Sequence, residues 1–134
     1  MKIAVPPRYD PNRGQGDRFA PAGQYFARVD KMWLDKAPSG SPVARFSFTI
    51  IAPAQYDGFK ARAYFILLED DGTGMARFQN AMASVGLGGE DVFVEEASFR
   101  RVSRRIHGRA VNIVVEKWKG GRTSVTTVAP GVSV

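Results

Sequence analysis

Alternating apolar and polar positions predict five β-strands along the chain. The clearest alternation spans residues 43–51, where the side chains on one face are Ala44, Phe46, Phe48 and Ile50. Successive side chains of a strand point to opposite faces, so a segment with this pattern has one buried and one solvent-exposed side. The other strands are recognised by aromatic and β-branched residues between turn-forming residues. The predicted strands are Gln24–Leu34, Val43–Ile51, Phe59–Leu68, Ala110–Trp118 and Arg122–Ala129.

A change of the apolar period from two to about 3.6 predicts a helix between the third and fourth strands. Its apolar residues follow the spacing i, i+3, i+4 and i+7, and they are Phe78, Ala81, Met82 and Val85. The predicted helix covers Met75–Val85 and is followed by Gly86, which suits the left-handed conformation after a helix. A second, shorter helix is predicted over Phe99–Ile106.

The main elements follow the order of three strands, a helix and two strands. This is the order of the oligonucleotide/oligosaccharide-binding (OB) fold, an all-β Greek-key barrel of five strands with a helix between strands three and four. An SH3-like barrel or an α+β sandwich is the alternative. We expect an OB-fold domain over residues 23–130, a flexible basic N-terminal arm at 1–22 and a short tail at 131–134.

The chain is poor in the residue types that carry catalysis. Its 134 residues include no cysteine and one histidine, His107, which excludes disulfides, cysteine nucleophiles and multi-histidine sites. The acidic run at 69–71 has three adjacent carboxylates, which cannot easily converge on one metal, and we interpret it as a turn before the helix. The glycine clusters match no phosphate-binding loop. We therefore expect a protein without enzymatic activity, metal or cofactor.

The hydropathy of the chain gives an expectation for its location. No apolar run approaches the length of a membrane span. The first seven residues lack the apolar core of a signal peptide. We expect a cytoplasmic protein.

Charge is distributed unevenly around a formal net charge of +6. Residues 1–65 contain ten Lys/Arg against five Asp/Glu, residues 66–98 one against seven, and residues 99–134 eight against one. If both basic ends form strands of one sheet, one face of the protein is positive. A basic face is the electrostatic feature expected of a nucleic-acid-binding protein.

Cations and aromatic rings occupy the polar positions of the first three strands and the segments near the predicted turns. A single-strand binder needs cations for phosphates and aromatic faces for bases. The two tryptophans flank the loops that border the ligand groove of the OB fold. The candidate nucleic-acid-binding residues are Arg28, Trp33, Arg45, Lys60, Arg62, Tyr64, Arg100, Arg101, Arg104, Arg105, Trp118, Lys119 and Arg122.

Each group also has a structural interpretation. The cations of the strands could form an ordinary solvated surface, and the tryptophans could cap the barrel. The arginines of the second helix are i, i+4 pairs of like charge, which destabilise a helix unless an anion neutralises them. That anion could be phosphate or the acidic residues just upstream.

Short glycine-containing motifs place the chain near a known family. They are Pro21-Ala22-Gly23-Gln24-Tyr25, Ser39-Gly40, Tyr56-Asp57-Gly58, Gly108-Arg109 and Lys119-Gly120-Gly121-Arg122. The pattern, over roughly residues 21–130, resembles that of small phage single-stranded-DNA-binding proteins. The resemblance implies an OB-fold barrel that coats single-stranded DNA during phage replication, recombination or repair in the host cytoplasm. Many such proteins end in an acidic tail that recruits partners, whereas residues 128–134 contain no acid.

The sequence thus favours a sequence-independent binder of single-stranded DNA. Binding of RNA, self-association and contact with replication or recombination proteins stay open. The alternative function is a protein-interaction or virion-associated β-barrel module that does not bind nucleic acid.

Overall fold

A computed structural model describes residues 18–68, 72–88, 94–118 and 120–131, which form five strands and two α-helices. Their bounds are β1 Gly23–Lys36, β2 Pro42–Ala52, β3 Lys60–Ile66, α1 Thr73–Ser84, α2 Glu96–Ile106, β4 Ala110–Lys117 and β5 Thr123–Pro130. A single 3-10 turn, Ala54–Tyr56, lies between β2 and β3. All five strands and both helices predicted from the sequence are confirmed, with ends that differ by three residues or fewer.

The five strands form one antiparallel sheet in the order β3-β2-β1-β4-β5. Over the described residues no ladder of hydrogen bonds joins the edge strands β3 and β5, so the sheet is open where we expected a closed barrel. The two edge strands nevertheless lie close together, since residues of β3 and of β5 line the same small cavity. The fold is therefore a strongly curved, mostly β structure.

An aromatic cluster connects the inner face of the sheet to both helices. Phe46 of β2 lies 6.3 Å from Phe78 of α1 between ring centroids, and Phe78 stacks on Phe99 of α2 at 5.8 Å. All three rings are almost completely buried. Burial of one such side chain stabilises a fold by about 1.5–3 kcal/mol. The helices thus cover the core side of the sheet and leave its opposite side to solvent.

A β-bulge at Asp30 reverses the side-chain alternation of β1. The register with β2 shifts between Val29 and Lys31, so Asp30 is the extra residue. Met32 is therefore buried, and Lys31 and Trp33 lie on the solvent side. Without the bulge, strict alternation from buried Val29 would turn these two side chains toward the core.

Helix α2 and the residues after it hold the bulge in place. The backbone N–H of Met32 donates to Ser103 Oγ at 3.0 Å, and His107 Nδ1–H donates to the Asp30 carbonyl at 2.7 Å. The Val29 carbonyl accepts from Gly108 N at 2.7 Å. Backbone groups that a bulge removes from the ladder thus find partners on this segment.

The end of the predicted arm lies along the free edge of β3. Phe19 forms a parallel bridge with Lys60, in which Lys60 N donates to the Arg18 carbonyl at 2.7 Å and Ala20 N donates to the Lys60 carbonyl at 2.9 Å. Ala20 is 1% exposed. The rest of the predicted arm, residues 1–17, lies outside the described residues, as do the acidic turn at 69–71 and residues 132–134 of the predicted tail.

Within the described part of the chain, no helix combines the length and apolar character needed to cross a membrane.

Candidate nucleic-acid interface

The strand register arranges the solvent-side residues of β1, β2 and β3 in three transverse rows, which together we call the outer face. The rows are Trp33–Arg45–Tyr64, Lys31–Ser47–Arg62 and Arg28–Thr49–Lys60. Neighbouring strands lie about 4.8 Å apart, so side chains within a row are direct neighbours. This one surface brings together six of the predicted binding residues: Arg28, Trp33, Arg45, Lys60, Arg62 and Tyr64.

The first row places an arginine between two aromatic rings. Arg45 Cζ lies 5.8 Å from the centroid of the Tyr64 ring, and Trp33 is its register partner on the other side. Lys31 Nζ lies over the Trp33 ring, 4.8 Å from its centroid. Tyr64 is 46% exposed, so a large part of its ring is open to solvent. The row offers rings for bases and cations for phosphates within a few ångströms.

The third row is tied into a hydrogen-bonded cluster around Asp30. Thr49 Oγ1 donates to Asp30 Oδ2 at 2.7 Å, and Lys60 Nζ donates to Thr49 Oγ1 at 2.8 Å and to Asp30 Oδ2 at 3.3 Å. Arg28 Nε lies 3.8 Å from Asp30 Oδ1. Arg28 and Lys60 thus lie on the predicted face, but Asp30 neutralises part of their charge, which makes the second row, with Lys31 and Arg62, a more available cationic surface than the third.

Asp35 holds the central arginine of the first row. Arg45 Nε donates to Asp35 Oδ2 at 2.7 Å, and the backbone N–H of Lys36 donates to Asp35 Oδ1 at 2.8 Å. The Lys36 hydrogen bond first, and the Arg45 side chain second, lower the pKa of Asp35 below its ordinary value. Asp35 is therefore ionised at neutral pH and competes with any phosphate for Arg45.

Replacing Asp35 by asparagine is expected to tighten binding of single-stranded DNA severalfold at low salt. The change releases Arg45 for a phosphate, so the log–log salt slope should steepen by about 0.7.

The Asp35 carboxylate also makes stability depend on pH. Its pKa is lower in the folded protein than in the unfolded chain. The stability that the carboxylate contributes is therefore present above pH 3.8 and is lost as pH falls through the lowered pKa.

Fluorescence anisotropy with labelled oligo-dT measures the affinity, and thermal unfolding between pH 2 and 7 measures the stability. The matched control is Asp57→Asn, which makes the same change at an exposed turn. Weaker or equal binding by Asp35→Asn, relative to that control, would contradict the competition between Asp35 and phosphate.

Trp118 extends the outer face toward β5. It is 48% exposed and, with Tyr64, lines a cavity of about 120 Å³ between β3 and β5. Trp118 N donates to the Arg122 carbonyl at 2.7 Å, so the turn brings these two predicted residues together. Lys119, the predicted residue between them, lies outside the described residues.

Two cations of this region were missed by sequence reasoning. Lys31 reaches the outer face only because of the bulge, and no periodicity reveals a bulge. Arg77 of α1 lines the cavity with Tyr64 and Trp118, and also a groove of about 550 Å³ along α1 and β5. Arg77 is the single Lys/Arg among residues 66–98, an isolated position that could have drawn attention to it.

The four predicted arginines of α2 form a separate exposed strip, which consists of Arg100, Arg101, Arg104 and Arg105. The helix buries Phe99, Val102 and Ile106 in the core, so it lies on the core side of the sheet. The structure thus groups the arginines with one another and does not join them to the rows of the outer face.

The described residues offer little for metal chemistry. No three His, Asp or Glu side chains in this part of the chain stand close enough to hold a metal ion. His107 uses Nδ1 to hold the bulge, as described above.

The chain was compared with known proteins. No protein-family model matches it, and no curated protein matches its sequence.

Proposed function

We propose that this protein binds single-stranded DNA, independently of base sequence, across the outer face of β1, β2 and β3. The observation that carries the proposal is the row Trp33–Arg45–Tyr64, which alternates ring, cation and ring in register on an exposed surface. Aromatic faces stack on any base and cations hold any phosphate, so such a row binds a strand without reading its sequence.

The connectivity supports an OB-like barrel as the scaffold. The strands β1, β2 and β3 form a meander, β4 returns to pair with β1, and β5 pairs with β4. Helix α1 follows β3, as the OB fold requires, and β3 approaches β5 where that barrel closes. OB folds bind ligands on the face of strands two and three and on the loops after strands one and four. Trp33 near the first loop and Trp118 in the second fit that arrangement.

The resemblance to phage single-stranded-DNA-binding proteins gives the proposal its biological setting. In that setting the protein coats single strands exposed during phage replication, recombination or repair.

The proposal is tested by titrating labelled oligo-dT with the protein at several salt concentrations. If Lys31 and Arg62 each neutralise one phosphate while Asp35 still holds Arg45, log Kd plotted against log salt should have a slope of about 1.4 or more in magnitude. A duplex of equal length should bind more weakly, because paired bases cannot stack on the rings.

The same titration separates the proposal from its rival. A polyglutamate peptide of matched charge measures simple attraction to a basic surface. Absence of oligo-dT binding at low salt, or equal affinity for oligo-dT and polyglutamate, would reject the proposal and favour a protein-interaction module.

A further inference from the structure

Phe19 is an exposed aromatic residue at the edge of the outer face. Its side chain is 46% exposed, although the neighbouring residue Ala20 is 1% exposed and packs into the core. The ring lies under a cation, since Arg62 Cζ is 5.0 Å from its centroid. An exposed ring next to a guanidinium repeats the pairing of Tyr64 with Arg45.

The backbone register fixes the side of the sheet on which Phe19 lies. Phe19 is paired with Lys60, and paired residues of neighbouring strands point to the same side. Lys60 belongs to the outer face, so Phe19 does as well, and Ala20 points to the core. The segment therefore adds a fourth chain beside β3, and the outer face becomes about 14 Å wide from β1 to Phe19.

Hydrogen bonds hold this segment at more than one point. Besides the two backbone bonds to Lys60, the Tyr25 hydroxyl donates to the Pro21 carbonyl at 2.6 Å. Burial first, and the neighbouring Tyr56 second, raise the pKa of Tyr25, so the hydroxyl keeps its proton at neutral pH. Phe19 is thus presented by a segment anchored on both sides of it.

We propose that Phe19 is a fourth base-stacking residue of the interface, contributed by the N-terminal arm, and that Arg62 holds the adjoining phosphate. The inference rests on the proposed function and goes further, because it makes the arm part of the binding surface. In register, Phe19 extends the row Arg28–Thr49–Lys60, and its ring reaches Arg62 at the end of the neighbouring row.

Two measurements on the full chain test this. Phe19→Leu keeps an apolar side chain over the edge of β3 but removes the ring, and we expect it to weaken oligo-dT binding about 5- to 100-fold with an unchanged salt slope. In a Trp33→Phe/Trp118→Phe chain, Phe19→Trp provides a single indole, whose fluorescence we expect oligo-dT to quench. The matched control places the indole by Gln79→Trp, at an exposed position of α1 outside both cavities, where we expect no quenching.

The outcomes separate the two proposals. If the unsubstituted protein binds oligo-dT, but Phe19→Leu binds equally well or the indole at position 19 is not quenched, the role of Phe19 is wrong and the proposed function stands. If the unsubstituted protein does not bind oligo-dT at all, both fail. A steeper or shallower salt slope for Phe19→Leu would assign its effect to displaced cations and would also overturn the stacking role.

Discussion

The double replacement of Trp33 and Tyr64 by alanine is expected to weaken binding of single-stranded DNA by about a hundredfold or more. Each stacked base contributes about 1–3 kcal/mol, and the two rings stand on opposite sides of Arg45, where adjacent bases could use both. The phosphate contacts remain, so the salt slope should change little. Anisotropy of labelled oligo-dT at several salt concentrations measures both quantities.

The matched control keeps the rings, with Trp33→Phe and Tyr64→Phe in one chain, and should bind within a few fold of the unsubstituted protein. Tyr64 is exposed and Trp33 is half-buried, so circular dichroism should show a folded protein in every variant. Equal loss of affinity in the alanine and phenylalanine chains would mean that the tyrosine hydroxyl and the indole N–H, and not stacking, carry the contact.

Gly74→Ala is expected to destabilise the fold by about 2–4 kcal/mol, although alanine normally stabilises a helix interior by about 1 kcal/mol relative to glycine. Gly74 lies in the first turn of α1 against the end of β3. A Cβ there would overlap the Ile66 carbonyl oxygen and lie 2.8 Å from the carbonyl carbon. Both are backbone atoms, which cannot rotate away, so α1 has to move off the sheet.

Thermal or urea unfolding measures this loss, which corresponds to a fall in Tm on the order of 10 °C. Gln79→Ala is the control, because it introduces alanine at an exposed position of the same helix and should change stability by less than about 0.5 kcal/mol. A more stable Gly74→Ala protein would show that α1 does not rest on β3 through this glycine.

Strand β2 was predictable because its apolar face is long and uninterrupted. Phe46 and Phe48 alternate with polar residues through β2 without a break, and both are buried in the structure. The residues that a strand buries on one face are therefore visible in the sequence as alternating apolar positions. Closure of the sheet depends instead on hydrogen bonds between β3 and β5. These strands are far apart in sequence, so no local pattern of residues predicts whether they pair.

The candidate site was predictable only where its residues lie in regular strands. Arg45, Arg62 and Tyr64 lie in regular strands, where alternation alone assigns their side. The position of Lys31 on the outer face depends on the bulge at Asp30. The position of Phe19 depends on the pairing of a segment that shows no alternation of apolar and polar residues. The surroundings of Phe19 are set by its pairing with Lys60, a residue far from it in the sequence.

The bulge at Asp30 gives β1 one position at which the strand can lose a residue without exchanging its two faces. Deletion of Asp30 removes the extra residue, and regular alternation after Val29 then still buries Met32 and leaves Lys31 on the solvent side. A deletion at another position of the strand, with the bulge kept, would exchange the two faces downstream. Length changes in the loop at residues 37–41 leave both faces as they are, because the strands on either side keep their phase. Gains and losses of residues are thus best tolerated in that loop and, within the strand before it, at the bulge.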